Sequence, residues 1–170
     1  MSRTNLKKYT KELTKAQLEE QLLVLYDKFP AVKIYYDFVF NPNERKLAND
    51  ARVKIAQEYF PSSTKKPKLR RSIAPKLLKH FIALGVDPFV IADLMLFSIE
   101  IAQSYTADKP SKQEAFYKSM LLAAQQTVSF VSEQGILYEF KARILKICQA
   151  TSEQNWPNNY AFDAIATGLD

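Results

Sequence analysis

The sequence is poor in the residues that build tight turns and many active sites. Among 170 residues there are three glycines, one cysteine and one histidine. Scarce glycine argues against a turn-rich β fold and against glycine-rich loops that cradle phosphates. A single cysteine excludes an internal disulfide and favours a reduced, cytoplasmic environment. With so few ligand-type residues, and no paired Glu-x-x-His, we expect no metal and no cofactor.

Long hydrophobic runs are also missing. The most apolar window, 89–102, is interrupted by Asp93 and Glu100 and is shorter than the ~20 residues that a membrane span needs. The first residues carry charges but not the apolar segment of a signal peptide. We therefore expect no membrane span and interpret 89–102 as part of a buried helix. The length predicts a single domain over residues 1–170.

Acidic residues are absent between Tyr59 and Val86, where the chain carries seven bases. These are Lys65, Lys66, Lys68, Arg70, Arg71, Lys76 and Lys79. The whole chain has 24 basic and 18 acidic residues, so this segment accounts for its excess positive charge. Such asymmetry indicates an anionic partner, either nucleic acid, an acidic protein face or a membrane surface. Our first hypothesis is a non-enzymatic binding protein that uses these bases to bind RNA or DNA. The alternative is a solvated basic loop neutralised by nearby acids.

Helix boundaries are marked along most of the chain. Thr14–Gln17 and Ser111–Glu114 match the capping box, Asn41-Pro42 and Asp87-Pro88 match helix starts, and Gly85 matches a helix end. Apolar residues recur at helical spacing between these marks, and no strand has an evident partner. The sequence therefore predicts an all-α fold, a bundle or short stack of six to seven helices forming helical hairpins, with no sheet.

Two segments need separate interpretation. Residues 31–40 are aromatic and β-branched, which permits a strand by propensity, but the lack of a partner strand favours a helix. Residues 61–71 contain prolines, serines and bases, with only Leu69 to pack. We predict that 61–71 is a mobile basic loop.

An aromatic group lies in and around the predicted helix 31–40. Its members are Tyr26, Phe29, Tyr35, Tyr36, Phe38, Phe40, Tyr59 and Phe60. Aromatic residues at such spacing form a core in many proteins, but they are also enriched at interfaces. The second hypothesis is a protein-interaction or scaffold domain that uses region 26–40. No feature of the sequence indicates an oligomeric state.

A third hypothesis is a small enzyme. His80 falls on the apolar stripe of the predicted helix 72–84, where the simplest interpretation is a buried or half-buried histidine with one hydrogen bond. Asp93 and Glu100 share one face of the following helix, about 10 Å apart along its axis. A histidine paired with a carboxylate performs acid–base chemistry, so these three residues are the catalytic candidates. Cys148 lies on an apolar stripe and is predicted to be a core residue without chemistry.

Three runs of the sequence carry a resemblance. They are LKKY…QLEE at 6–20, YYDFVFNP at 35–42 and KHFIALGVDPFVIADLMLF at 79–97. With these runs the chain resembles an uncharacterised family of helical bacterial proteins of about this length, classified as a domain of unknown function. The resemblance implies a bacterial, cytoplasmic, single-domain helical protein. It carries no activity, cofactor or catalytic residue.

Overall fold

The computed structural model of the chain describes residues 2–62 and 66–169, and these residues form helices joined by turns and loops. Nine helices occur there: α1 (Arg3–Lys11), α2 (Lys15–Lys28), α3 (Pro30–Phe40), α4 (Glu44–Tyr59), α5 (Ile73–Leu84), α6 (Pro88–Asp108), α7 (Glu114–Glu133), α8 (Leu137–Glu153) and α9 (Asn159–Thr167). No strand occurs in these two ranges. The all-α class is confirmed, whereas the expected count of six to seven helices is wrong.

The helix that sequence patterns did not indicate is α1. Leu6 and Tyr9 are the large apolar residues in it, and both are exposed, so it has no stripe of the kind that marks a core helix. The helix predicted at 31–40 is confirmed as α3. Pro30 occupies its first turn, where a missing N–H costs nothing, so this proline begins a helix as well as ending α2.

The capping signals were correct at some boundaries and wrong at others. The Thr14–Gln17 capping box forms as predicted, and Asp87 caps α6 by accepting a hydrogen bond from the N–H of Phe89 at 2.7 Å. The box at Ser111 does not form, because the Ser111 hydroxyl accepts from the N–H of Gln113 at 3.2 Å and α7 begins later. Local side-chain bonds of this kind compete with helix initiation.

Asn41 is also not the start of a helix. Its N–H still donates to the carbonyl of Asp37 at 3.1 Å, which places it at the end of α3. The next helix, α4, begins only at Glu44. A residue that closes one helix has backbone angles set by that role, and here they are not those of a starting cap.

The described residues divide into two compact units, one ending at Asn43 and the other beginning at Glu44. The first unit contains α1, α2 and α3, and α2 packs against α3. The second contains α4 to α9. Folding of residues 1–170 as a single domain stays a prediction.

The core of the second unit is built around α6. This helix packs against α4, α5, α7 and α8, and Ala92, Leu94, Ile99 and Ala102 on it are fully buried. Of the described helices it is the one long and apolar enough to cross a membrane, and 56% of that stretch is buried within the structure. Its all-round apolar sequence is therefore explained by neighbours on several sides.

An aromatic cluster closes the core where α7 and α9 meet. The ring of Trp156 lies edge-on to those of Phe116, Tyr117 and Phe162, at centroid distances of 6.1, 5.2 and 5.8 Å. Phe162 has no exposed surface. Edge-to-face contacts of this kind add to the free energy gained by burial, so α9 is held mainly through Phe162.

We expect Phe162→Ala to destabilise the protein by about 3–5 kcal/mol, because it opens a cavity in a closed aromatic cluster. Tyr160→Ala is the matched control, since Tyr160 lies on the same helix and is 72% exposed. Its effect should stay within about 0.5 kcal/mol. Urea unfolding followed by circular dichroism measures both values, and equal effects would contradict the packing described for α9.

Candidate functional site

The structure places the seven predicted anion-binding residues in three different situations. Lys65 lies outside the described residues. Lys66, Lys68, Lys76 and Lys79 are exposed, and none of these four forms an ion pair with a described residue. Arg70 and Arg71 instead make hydrogen bonds within the second unit.

Arg70 is bound to Glu58 in the last turn of α4. The Glu58 carboxylate accepts from the Arg70 backbone N–H at 3.2 Å and from its guanidinium at 2.9 and 2.5 Å. The Glu58 carbonyl accepts from the N–H groups of Lys68 and Leu69, both at 3.0 Å. The side chain of Glu58 is only 8% exposed. Its bond to Arg70 holds the pKa of its carboxyl below the usual range, as expected for a charged acceptor with several donors.

Residues 68–70 are therefore tethered to α4 by five hydrogen bonds to one residue. Leu69 has a positive φ of 51° and packs its side chain against the core. The mobility predicted for 61–71 stays a prediction, and residues 63–65 of it lie outside the described ranges. The tether decides where Arg71 and the start of α5 lie.

A groove of about 630 Å³ runs beside this tether, within the size range of small-molecule sites. One wall is the face of α5 that carries Ile73, Leu78 and Ile82, and the other is the face of α7 that carries Leu122 and Phe130. Helices α4 and α6 contribute the floor. The groove is mostly apolar and open to solvent, since Ile82 and Leu122 on its rim are 55% and 53% exposed.

About half of the residues that line the groove are polar, although most of its surface is apolar. Tyr59 is 6% exposed, lines the groove, and its hydroxyl makes no hydrogen bond to the described parts of the chain. Arg71 also lines the groove and donates one hydrogen bond, to the carbonyl of Ala115 at the start of α7. Burial raises the pKa of Tyr59 to about 12, with Glu58 acting in the same direction and Arg71 against it. At neutral pH Tyr59 is thus a neutral donor close to a cation.

The catalytic candidates do not assemble as predicted. His80 is exposed, so the expectation of a buried or half-buried histidine is wrong. Its position on α5 faces solvent because the apolar stripe of that helix is centred on Phe81 and Leu84. Asp93 and Glu100 do lie together, but Arg143 binds them both. No hydrogen bond joins His80 to either acid among the described residues.

Arg143 on α8 links the two acids of α6. Its guanidinium donates two bonds to the Glu100 carboxylate, at 2.6 and 2.7 Å, one to the Asp93 carboxylate at 2.7 Å and one to the Asp93 carbonyl at 3.4 Å. Asp93 also pairs with Arg52 of α4. These contacts raise the pKa of Arg143 above its already high value. Two acids and two arginines balance in charge, so this cluster joins three helices and leaves no carboxylate free for acid–base work.

Cys148 is buried as predicted, with 1% of its surface exposed. Burial raises the pKa of its thiol to about 11, which keeps it protonated and unreactive at neutral pH. Among the described residues no group of three His, Cys, Asp or Glu side chains converges to form a metal site.

Fold and site together define an all-helical protein with an apolar groove, a tethered basic segment and no assembled catalytic group among the described residues. The chain belongs to DUF6155, a family of unknown function, whose match covers residues 1–170. This confirms the resemblance to an uncharacterised family noted for 6–20, 35–42 and 79–97, whereas the bacterial origin stays a prediction. Comparison with curated proteins and with solved structures finds no match.

Neither Glu58 nor the groove was indicated by the sequence patterns. Glu58 precedes Lys65, the first base of the segment, by seven residues, and no spacing rule connects a helix end to a loop that returns to it. The one available signal was Arg70-Arg71 directly after Leu69, a short apolar anchor next to two bases. Tyr59 was named only as one member of the aromatic group.

We expect Glu58→Gln to lower the free energy of unfolding at pH 7 by about 1–3 kcal/mol, because charged hydrogen bonds to Arg70 are lost. Since folding lowers the pKa of Glu58, its contribution is present above the ordinary carboxyl pKa and is lost as the pH falls through the lowered value. The difference from wild type should therefore shrink with acidification. Urea titrations at stepwise lower pH test this.

Glu139→Gln serves as the control, because Glu139 is exposed and unpaired among the described residues. Its effect should stay within about 0.5 kcal/mol at every pH. A Glu58→Gln variant as stable as wild type at pH 7 would contradict the tether.

Proposed function

We propose that this protein is a protein-interaction module that self-associates through the first unit, residues 2–43. The observation that carries the proposal is that α1, α2 and α3 contain no buried residue. Helices are held in place mainly by burying an apolar face, and the described residues of this unit include none that is buried. A second surface must supply that burial.

The amount of apolar surface is large for so short a segment. Twelve of the nineteen exposed large hydrophobic side chains in the described residues lie in this unit: Leu6, Tyr9, Leu18, Leu22, Leu23, Val24, Leu25, Phe29, Ile34, Tyr35, Val39 and Phe40. Scattered exposed apolar residues are normal, but a concentration like this marks an interaction surface. The aromatic region 26–40 belongs to it, as the second sequence hypothesis holds.

The unit is organised rather than an irregular tail. The hydroxyl of Tyr26 on α2 donates to Asp37 on α3 at 2.8 Å, and the amide of Gln21 donates to the hydroxyl of Tyr9 at 2.5 Å. The rings of Tyr36 and Phe40 lie 5.9 Å apart. The first bond joins α2 and α3 into a hairpin and the second joins α2 to α1, so association costs less ordering entropy than it would for a disordered segment.

A second copy of the same hairpin is the partner that its charge pattern favours. Residues 15–40 hold three bases and four acids, so two copies repel each other only weakly. Two helical hairpins that share apolar faces form a four-helix bundle, a common arrangement for antiparallel helices. The same surface then serves both partners, as a twofold interface requires.

We expect the wild-type chain to run at twice its monomer mass in size-exclusion chromatography with light scattering. Phe40→Glu should weaken the dimer at least about tenfold, because a charge enters an apolar interface. Tyr160→Glu is the matched control, since Phe40 and Tyr160 are 70% and 72% exposed. It should leave the mass unchanged.

Circular dichroism should show equal helix content in all three proteins, which separates lost association from lost folding. A wild type that remains monomeric at high micromolar concentration contradicts self-association. Equal weakening by Phe40→Glu and Tyr160→Glu contradicts the assignment to the first unit.

A second candidate function is nucleic-acid binding, and the observation that favours it is the free state of four lysines. Lys66, Lys68, Lys76 and Lys79 are exposed and unpaired among the described residues. Phe60, which precedes them in the chain, is 48% exposed and offers a ring for base stacking. Arg70 contributes less than the first hypothesis assumed, because Glu58 neutralises it.

We expect labelled single-stranded RNA to bind at low salt, with an affinity that falls as salt rises. Replacing the four lysines by Gln should reduce the salt slope by about 3, since each lost phosphate contact removes about 0.7. Arg3, Lys7, Lys8 and Lys11 replaced by Gln provide a control with the same change in charge. Fluorescence anisotropy measures both, and equal losses would show only a general charge effect.

A further inference from the structure

We propose that the groove between α5 and α7 binds a free single-chain anionic amphiphile, with its carboxylate at Arg71 and Tyr59 and its chain along the apolar walls. This inference is independent of self-association, because every residue that lines the groove belongs to the second unit. It assigns the site a ligand class: long-chain carboxylates.

The walls suit an extended chain. On α5 the lining residues run from Ile73 to Ile82, and on α7 from Ser119 to Glu133. At 1.5 Å per residue these faces extend roughly 14 and 21 Å, so the groove is elongated. A ligand that follows it must be long and largely apolar.

The serines of the groove add little polarity. The hydroxyl of Ser98 donates to the carbonyl of Met95 at 2.7 Å, and that of Ser119 donates to the carbonyl of Phe116 at 2.7 Å. Both donors are thus used within their own helices. Gln125, Gln126 and Ser129 of α7 also line the groove, but most of the groove surface is apolar, which favours burial of a chain of CH₂ groups.

One end of the groove can hold an anion. Tyr59 is more than nine-tenths buried, and its hydroxyl has no partner among the described residues. Arg71 uses one donor on Ala115, and a guanidinium has five. The contact with Ala115 places Arg71 at the N-terminus of α7, where helix dipoles favour negative charge. A neutral hydroxyl and a guanidinium that line the same groove are suitable donors for a carboxylate.

The acids near this end do not cancel its positive charge. Glu58 is bound by Arg70, and Glu114 pairs with Lys118 at 2.8 Å. Lys79 lines the groove as an additional, unpaired cation. Glu133 lines it from the last turn of α7, at the opposite end of that helix from Ala115. The groove therefore orients its ligand, with the anionic head toward Arg71.

Isothermal titration calorimetry of the full chain with dodecanoate, below its micelle concentration, tests the site. We expect saturable binding with one ligand per chain. Arg71→Gln should weaken dodecanoate binding at least about tenfold and leave binding of dodecan-1-ol nearly unchanged. Tyr59→Phe removes only the hydroxyl and should change affinity in the same sense.

Lys76→Gln is the matched control for Arg71→Gln, because Lys76 is an exposed base on the same side of the tether that does not line the groove. It should bind dodecanoate like wild type. Ala123→Phe fills the groove and should abolish binding of both the acid and the alcohol. Circular dichroism confirms that each variant is folded.

Several outcomes would overturn the proposal. These are no binding of dodecanoate, equal affinity for the acid and the alcohol, and equal weakening by Lys76→Gln. Binding only to anionic vesicles, or only to an acidic amphipathic peptide, would assign the groove to another ligand. The titration is repeated with Phe40→Glu, so that failure of self-association and failure of the groove are read separately.

Discussion

Glu58 lies at the end of α4 with almost no access to solvent, and a carboxylate in that place needs donors from the protein. The chain supplies them by returning from Tyr59 through residues 66–70 and bonding Lys68, Leu69 and Arg70 to this one residue. The return places Leu69 against the core and Arg71 at the start of α7. The α5 wall of the groove and its cationic end therefore depend on the hydrogen bonds that Glu58 accepts.

The polar cluster around Arg143 acts differently. It lies at the edge of the apolar core, where its four side chains remain about one-third exposed. Partly exposed ion pairs contribute modestly to stability, but bidentate contacts impose geometry. Arg143 therefore fixes how α8 lies against α6, while Phe140, Ile144 and Ile147 of α8 supply the burial.

The two units of the chain differ in whether their apolar side chains are buried. The second unit encloses its own core around α6. The first has helices, caps and an internal hairpin but leaves its apolar residues outside. A segment of this size rarely buries enough surface alone, which is why we assign its apolar face to association. The groove lies entirely in the second unit, so the proposed ligand site and the proposed association surface share no residue.

Much of the local structure could be predicted from the sequence. The helix boundaries at Thr14, Gly85 and Asp87-Pro88 depend only on residues next to them in the chain. The central position of α6 follows from its apolar composition. Two predicted helix starts failed because the capping residue makes a different hydrogen bond. Ser111 bonds to the adjacent turn instead of starting a helix, and Asn41 closes α3 instead of opening α4.

Local sequence patterns could not predict the candidate site, because its side chains come from distant parts of the chain. From the sequence, Asp93 and Glu100 share one face, but Arg143 comes more than forty residues later, and only helix packing brings it to them. The basic segment was visible as a run of charge, whereas its division into tethered Arg70 and free lysines required Glu58. The sequence by itself determined the helices, the excess charge and the apolar centre, because each arises from residues close in the chain. Only the tertiary structure decided which charges are paired, which apolar faces stay open and where the groove lies, because these depend on contacts between distant helices.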